Sequence, residues 1–374
     1  MVAIKTDSGE CMVSAMKAYS GKALKDEIEF KKKKLIKLES DVCGIIKNTT
    51  ISFESVSSLF EKGKVVFVFG AGLSISCGLP SWNELINKVA DNIFGYEYYE
   101  DEIKSFLEHL KNDMNLAGLC EGLSTFIENE DFIEIVRDIL YNKPLKDSTL
   151  INTLIDILVL EHKTNLNNNL STVILTFNYD CIIEDNLRKR GIPYNSTTVI
   201  PLEIKIDEIL IVHIHGRVFS KKTDDENVIL TESSYGDLYL RNNIDPLSYV
   251  LNNGLIPFFI GFSFNDIFIR NILHSYKLKN KEFSALTVFA KNDLFDKKTI
   301  KIHPIEERAE TINVLHGYKS TSEGYELEEL RAKFANNIPS HINRKKFHSI
   351  GVVYNEVENY SQIATFLEST FLKK

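Results

Sequence analysis

The run Val65-Val66-Phe67-Val68-Phe69 is apolar at every position and leads directly into Gly70-Ala71-Gly72. A strand wet on one face alternates apolar and polar side chains. A strand apolar at both parities has to be covered on both faces. The glycines predict a tight exit from that strand. Pro80-Ser81-Trp82 and a helical pattern from Asn83 to Ile93 come next. Strand, glycine turn and helix in this order make a unit of the nucleotide-binding α/β type.

The same logic extends along the chain. Thr172 to Leu175, Ile209 to Ile214, Ile256 to Ile260 and Ala285 to Phe289 read as further strands, with helices at Cys181 to Arg190 and Ile267 to Lys277. Ser349 to Lys374 reads as one more strand and a helix. Alternating strands and helices predict an α/β fold, a Rossmann-like, doubly wound parallel sheet. Ligands in such sheets bind at the carboxyl ends of the strands. Residues 1–55 form a predicted N-terminal helical arm, densely charged from Ala15 to Ile46 and without a chemical motif. Its expected role is a contact with another subunit or partner, or cover for one sheet face. Residues 56–374 form the domain that holds every motif, with a helical insertion at about 96–168. Ile103, Phe106, Leu107 and Leu110, then Phe132, Ile133, Val136, Ile139 and Leu140, carry the insertion's helical spacing. It leaves the sheet after the first glycine turn and returns before Asn178. It is therefore expected to start and end beside the cleft, as a lid, or else to pack on the sheet edge.

Composition narrows the function classes. The net charge is -8 and the pI about 5.7, so no direct nucleic-acid binding is expected. The run Lys31 to Lys34 lies among Glu27, Glu29 and Glu39 and reads as a solvated helix face. The five cysteines form no Cys-x-x-Cys pair, which argues against a disulfide framework and a structural zinc. Lys5, Asp7 and Glu10 interrupt any secretion signal, so a reduced, cytoplasmic protein is expected. Apolar runs such as Leu255 to Phe264 are shorter than the ~20 residues of a membrane helix, and no membrane association is expected.

The strand ends carry the chemistry. At Gly70, Ala71 and Gly72 the bare backbone can approach phosphate oxygens, and Ser74 can add a hydroxyl. The alternative is a tight turn with no ligand. The spacing is not Gly-x-Gly-x-x-Gly, and no Gly-Lys-Ser/Thr follows. Asn178 and Asp180 follow the second strand. The amide suits a ribose hydroxyl or a water, and the carboxylate suits a carboxamide or, alternatively, the cap of the next helix. His213 and His215 are two residues apart, which by strand periodicity places them on one face. A metal pair lacks a third ligand by spacing. The favoured reading has one core histidine and one functional histidine, His215, approached closely over Gly216. Arg217 is a candidate for neutralising phosphate. Gly261-Phe262-Ser263-Phe264-Asn265-Asp266 is another strand-end turn. There Ser263 suits a ribose or phosphate oxygen, while Ser263 or Asn265 suits a helix cap.

These pieces together resemble the sirtuin superfamily: Gly70 to Ser74, Gly78-Leu79-Pro80, Thr176-Phe177-Asn178-Tyr179-Asp180, His215-Gly216 and Gly261-Phe262-Ser263, in the family order. The resemblance covers about Val65 to Phe289. Sirtuin deacylases carry Asp-Phe-Arg where this chain has Ser81-Trp82-Asn83, a glutamine where Phe177 stands, and zinc-binding cysteines after the catalytic histidine. No cysteine follows Cys181 here. The pattern looks like the bacterial sirtuin-like effectors of antiphage defence, whose activity is NAD hydrolysis. The resemblance implies NAD as substrate, no metal, and a catalytic pair Asn178 and His215. Gly70, Ala71, Gly72 and Ser74 would hold the pyrophosphate, with Asp180 at the nicotinamide carboxamide and Gly216, Gly261 and Ser263 also binding NAD. It further implies a separate partner of the HerA-type ATPase class, and the charged N-terminal arm predicts a homo-oligomer. The alternatives are an NAD-dependent protein deacylase and a non-catalytic module sensing NAD or ADP-ribose.

Overall fold

The computed structural model describes residues 53–94, 116–223, 226–241, 246–264, 266–281, 283–290, 349–357 and 359–372, with isolated positions among 29–37 and at 347. The predicted arm falls largely outside the described residues. So do the first part of the insertion, with Ile103, Phe106, Leu107 and Leu110, and Asn265. Contacts divide the chain into two units, residues 51–293 with 349–374 and residues 1–50 with 294–348. The sheet lies in the first.

That sheet has seven strands: β1 (Val65–Phe69), β2 (Thr172–Thr176), β3 (Tyr194–Thr197), β4 (Ile209–His213), β7 (Ile256–Ile260), β8 (Ala285–Ala290) and β9 (Val352–Val357). A two-stranded ribbon of β5 (Gly216–Arg217) and β6 (Asn227–Val228) stands beside it. The sheet order is β3-β4-β2-β1-β7-β8-β9, and every neighbouring pair is parallel. The chain winds from β1 outward through β2 and β4, then crosses to the other side of β1 to make β7. The order therefore reverses at β1, the place where such sheets open a crevice at the strand carboxyl ends.

The predicted strands and the crossover helices Ile182–Lys189 and Ile267–Lys279 are present. β1, β2 and β4 are buried at all positions, as apolar residues at both parities require. β3 was not anticipated. Its residues Asn195, Ser196 and Thr197 are polar, and an edge strand needs cover on fewer sides.

The insertion does not end beside the cleft. Its last helix, Thr149–Asn167, starts near the glycine turn, where the Ser76 and Ser148 hydroxyls are 2.6 Å apart and Lys146 N donates to Cys77 O. From there it runs back to the amino end of β2, because the whole length of β2 separates its exit from Asn178. Leu154, Ile155, Ile157 and Leu158 are fully buried, and the helix is the crossover between β1 and β2. The shorter helices Leu116–Ser124 and Asn129–Tyr141 lie at the cleft end instead. Tyr141 Oη donates to Val218 O (2.8 Å) and accepts from Cys181 N (3.0 Å). Glu121 accepts from both the amide and the hydroxyl of Ser233. These helices are thus fastened to the segment that follows His215. Among the described residues, no helix is long and apolar enough to cross a membrane.

Candidate functional site

The turns after β1 and β7 meet backbone to backbone. Gly70 N donates to Ile260 O (3.0 Å) and Gly72 N to Gly261 O (2.9 Å). A Cβ on Gly72 would stand 2.7 Å from Gly261 Cα, and one on Gly261 would stand 2.3 Å from Leu73 N. Gly261 also has φ +68°, a conformation that L side chains adopt only with strain. The glycines are explained by this close approach alone. The Gly70 and Gly72 amides, expected to face a phosphate, are donated to the neighbouring turn.

Asn178 reaches the glycine turn from the end of β2. Its Nδ2 donates to Gly70 O (3.1 Å) and to Ser74 Oγ (2.8 Å). Ser74 in turn donates its hydroxyl proton to Asp180 Oδ2 (2.6 Å), and Asp180 Oδ1 accepts from Ile182 N (3.2 Å). Asp180 therefore holds the first amide of the helix Ile182–Lys189 and the Ser74 hydroxyl at once. Burial raises the Asp180 carboxyl above the ordinary carboxylate value, against the bonds from Ser74 and Ile182. The hydroxyl expected to bind pyrophosphate and the carboxylate expected to bind carboxamide are spent on each other. What remains is Asn178 Oδ1, which is buried without a partner. An unpartnered buried acceptor costs about 1–3 kcal/mol, a cost that a ligand hydroxyl or a water would remove.

The two histidines do not share a strand face. β4 ends at His213, and the chain turns at Ile214 and His215 before entering β5. The period of two does not survive that turn, and the rings part. His213 lies under the sheet end, with Nδ1 3.0 Å from Asn178 O and Nε2 2.6 Å from Glu184 Oε1. His215 sits among aromatic rings. Phe177 and Tyr235 approach it edge-on with centroids 4.9 and 5.0 Å away. Its Nδ1 is 3.5 Å from Tyr235 Oη, and its Nε2 is 3.7 Å from Asp266 Oδ2. Burial lowers its pKa to about 4, with the Asp266 carboxylate opposing the shift, so at neutral pH the ring is uncharged. The structure also supplies what spacing did not: Cys181, Glu184 and His213 present potential metal ligand atoms within 4.8 Å of one another. The Cys181 thiol donates to Val218 O, and burial pushes its pKa up, which disfavours a thiolate.

The turn after β7 completes the wall. Phe262 lies 5.1 Å from Phe177 and 4.9 Å from Phe264 between ring centroids. Phe264 is fully buried at φ +54°, rare for a bulky residue and held by that packing. Ser263 is exposed at the rim. The cap of the helix Ile267–Lys279 is Asp266, whose Oδ1 accepts from Ile269 N. Gly216 lies in the ribbon, and Arg217 donates to the oxygens of Ser196 while its Nε is buried without a partner. Reasoning from sequence missed Glu184 and Asp266 as site residues. Asp266 carried a signal, since it stands at the end of the fourth motif. Glu184 carried none.

Comparison with known proteins is consistent with this geometry. Residues 172–314 match the SIR2-like domain family. The chain is similar to the NAD(+) hydrolase ThsA of Enterococcus faecium, 24% identical over 334 residues, covering 84% of this chain and 56% of that protein. It is similar as well to the defense-associated sirtuin 2 of Bacillus subtilis, 24% identical over 276 residues, covering 70% of this chain and 23% of that one. The chain thus spans about half the length of the first relative and about a quarter of the second.

Proposed function

The chain carries a SIR2-like domain, and on that premise we propose that it is an NAD+ glycohydrolase that acts in antiphage defence by depleting NAD+. The observation behind this reading is a pair of groups on adjacent strand ends. One is the unpartnered amide oxygen of Asn178 after β2, and the other is the uncharged imidazole of His215 after β4. The names of the two relatives, one an NAD(+) hydrolase and the other a defense-associated sirtuin, support the same reading.

The reaction breaks the bond between ribose C1′ and the nicotinamide nitrogen. That nitrogen leaves with the bonding electrons and so loses its positive charge, while the ribose acquires oxocarbenium character. Asn178 Oδ1 accepts a hydrogen bond from the attacking water or a ribose hydroxyl. His215 takes the proton released as water adds, and Asp266 stabilises the resulting imidazolium. The products are nicotinamide, ADP-ribose and one proton. The wall of Phe177, Tyr235 and Phe262 excludes bulk water, which strengthens each of these interactions. The proposal extends to a homo-oligomer with low basal turnover, released by a separate partner such as a HerA-type ATPase. Incubating the full chain with NAD+ alone tests the activity. Free nicotinamide without any peptide is expected, and release only with an acylated peptide would favour a deacylase.

A further inference from the structure

A directional chain of hydrogen bonds runs beneath the site. Arg217 Nη1 donates to Ser196 Oγ (2.9 Å), and Ser196 Oγ donates to Glu184 Oε1 (2.7 Å). His213 Nε2 stands 2.6 Å from the same oxygen, and His213 Nδ1 stands 3.0 Å from the main-chain oxygen of Asn178. Each ring nitrogen thus faces an oxygen, and His213 and Glu184 form a buried pair. Burial alone would raise that carboxyl, but the charge and hydrogen bond of His213 and the hydroxyl of Ser196 carry it below the ordinary value.

A buried ion pair is a poor source of stability, because desolvation of both charges offsets their attraction. The position of this one suggests another use. Asn178 is held at its amide by Thr176 Oγ1 (3.1 Å) and at its side-chain nitrogen by Gly70 O and Ser74 Oγ. His213 holds its carbonyl. With those points fixed, Oδ1 is the one hydrogen-bonding atom of Asn178 left for a ligand.

We infer that the Glu184–His213 ion pair is a positioning device for Asn178, fixing the direction in which its Oδ1 points. This rests on the reading of Asn178 as a catalytic residue. His213 and Glu184 touch no substrate in this account and act through the Asn178 backbone.

The test uses Glu184→Gln and His213→Asn in the full chain, with Ser196→Ala as a milder variant should either fail to fold. Two readouts are taken. The first is the Asn178 side-chain amide signal by NMR, expected to shift in each folded variant. An unchanged signal overturns the proposal whatever the enzyme does. The second is nicotinamide release, with kcat expected to fall about tenfold and KM to stay within about twofold, the pattern of a misaimed group in an intact binding site. An unchanged kcat per folded molecule, with only a lower melting temperature, makes the pair merely structural and overturns the proposal. If the wild-type chain releases no nicotinamide, the functional reading fails by itself and the NMR readout still decides the positioning role. Stoichiometric zinc in the purified chain, lost in His213→Asn, would also contradict the ion pair.

Discussion

The turns after β1 and β7 interlock through backbone, whereas those after β2 and β4 meet their surroundings through side chains. Gly70, Gly72 and Gly261 are close because nothing larger fits. Asn178, Asp180, His213 and His215 are placed by hydrogen bonds and ring packing. The first pair of turns fixes the frame, and the second pair carries Asn178 and His215, the two residues of the proposed reaction. A glycine signature at a strand end is therefore evidence of close approach, and the approaching group here is another turn. The functional argument rests on the polar pair.

The comparison breaks most visibly at His215. His215→Ala is expected to lower NAD+ cleavage by about 10²–10⁴-fold, the usual loss of a general base, with the fold retained. Steady-state nicotinamide release beside a circular-dichroism melt checks both halves. A framework residue should do the reverse. Gly261→Ala forces a side chain against Leu73 N at a left-handed φ, and a stability loss of roughly 3 kcal/mol or more by urea denaturation is expected. An unchanged midpoint would show that the turns do not interlock as described.

Glu184→Gln sharpens the contrast between the two imidazoles. The folded carboxyl of Glu184 lies below its unfolded value, so its contribution is complete above the ordinary carboxylate pKa of about 4.3 and is lost as pH falls through the lowered folded value. The gap between wild type and variant should be about 3 kcal/mol at pH 7 and should close in acid. A pH-independent gap would argue against an ionised pair. The smallest effect is expected at Glu161, on the crossover helix Thr149–Asn167 away from both pairs of turns. Burial raises its carboxyl well above the ordinary value, and its Oε2 has no partner. A raised acid stabilises fully below its unfolded pKa and loses that contribution as pH rises through the folded value. Glu161→Gln should therefore gain about 1 kcal/mol over wild type at pH 8 and little at pH 4, again by urea midpoints.

Much of the frame was legible in the sequence. β1, β2, β4 and β7 are apolar at both parities, which few other environments allow, and they end in glycine or in Asn and His motifs. β3 escaped because a short polar edge strand looks like a loop. The motifs gave the strand ends that form the candidate site but not their wiring. Ser74 and Asp180 are 106 residues apart in sequence, and no periodicity relates them. The separation of His213 from His215 depends on where β4 ends, a boundary the run Ile209 to Ile214 left blurred by one residue. The expected return of the insertion beside the cleft failed on direction, since a parallel crossover must return to the amino end of its strand. The helices Leu116–Ser124 and Asn129–Tyr141 remain as the part of the insertion fastened beside His215.

The most direct test is nicotinamide release from NAD+ by the full-length wild-type chain, run beside Asn178→Ala and His215→Ala, at high enzyme concentration and without peptide. The expected result is release by the wild type that falls by at least about 10²-fold in both variants, each still folded. Release undiminished in both variants, or none from a folded wild type, would contradict the account.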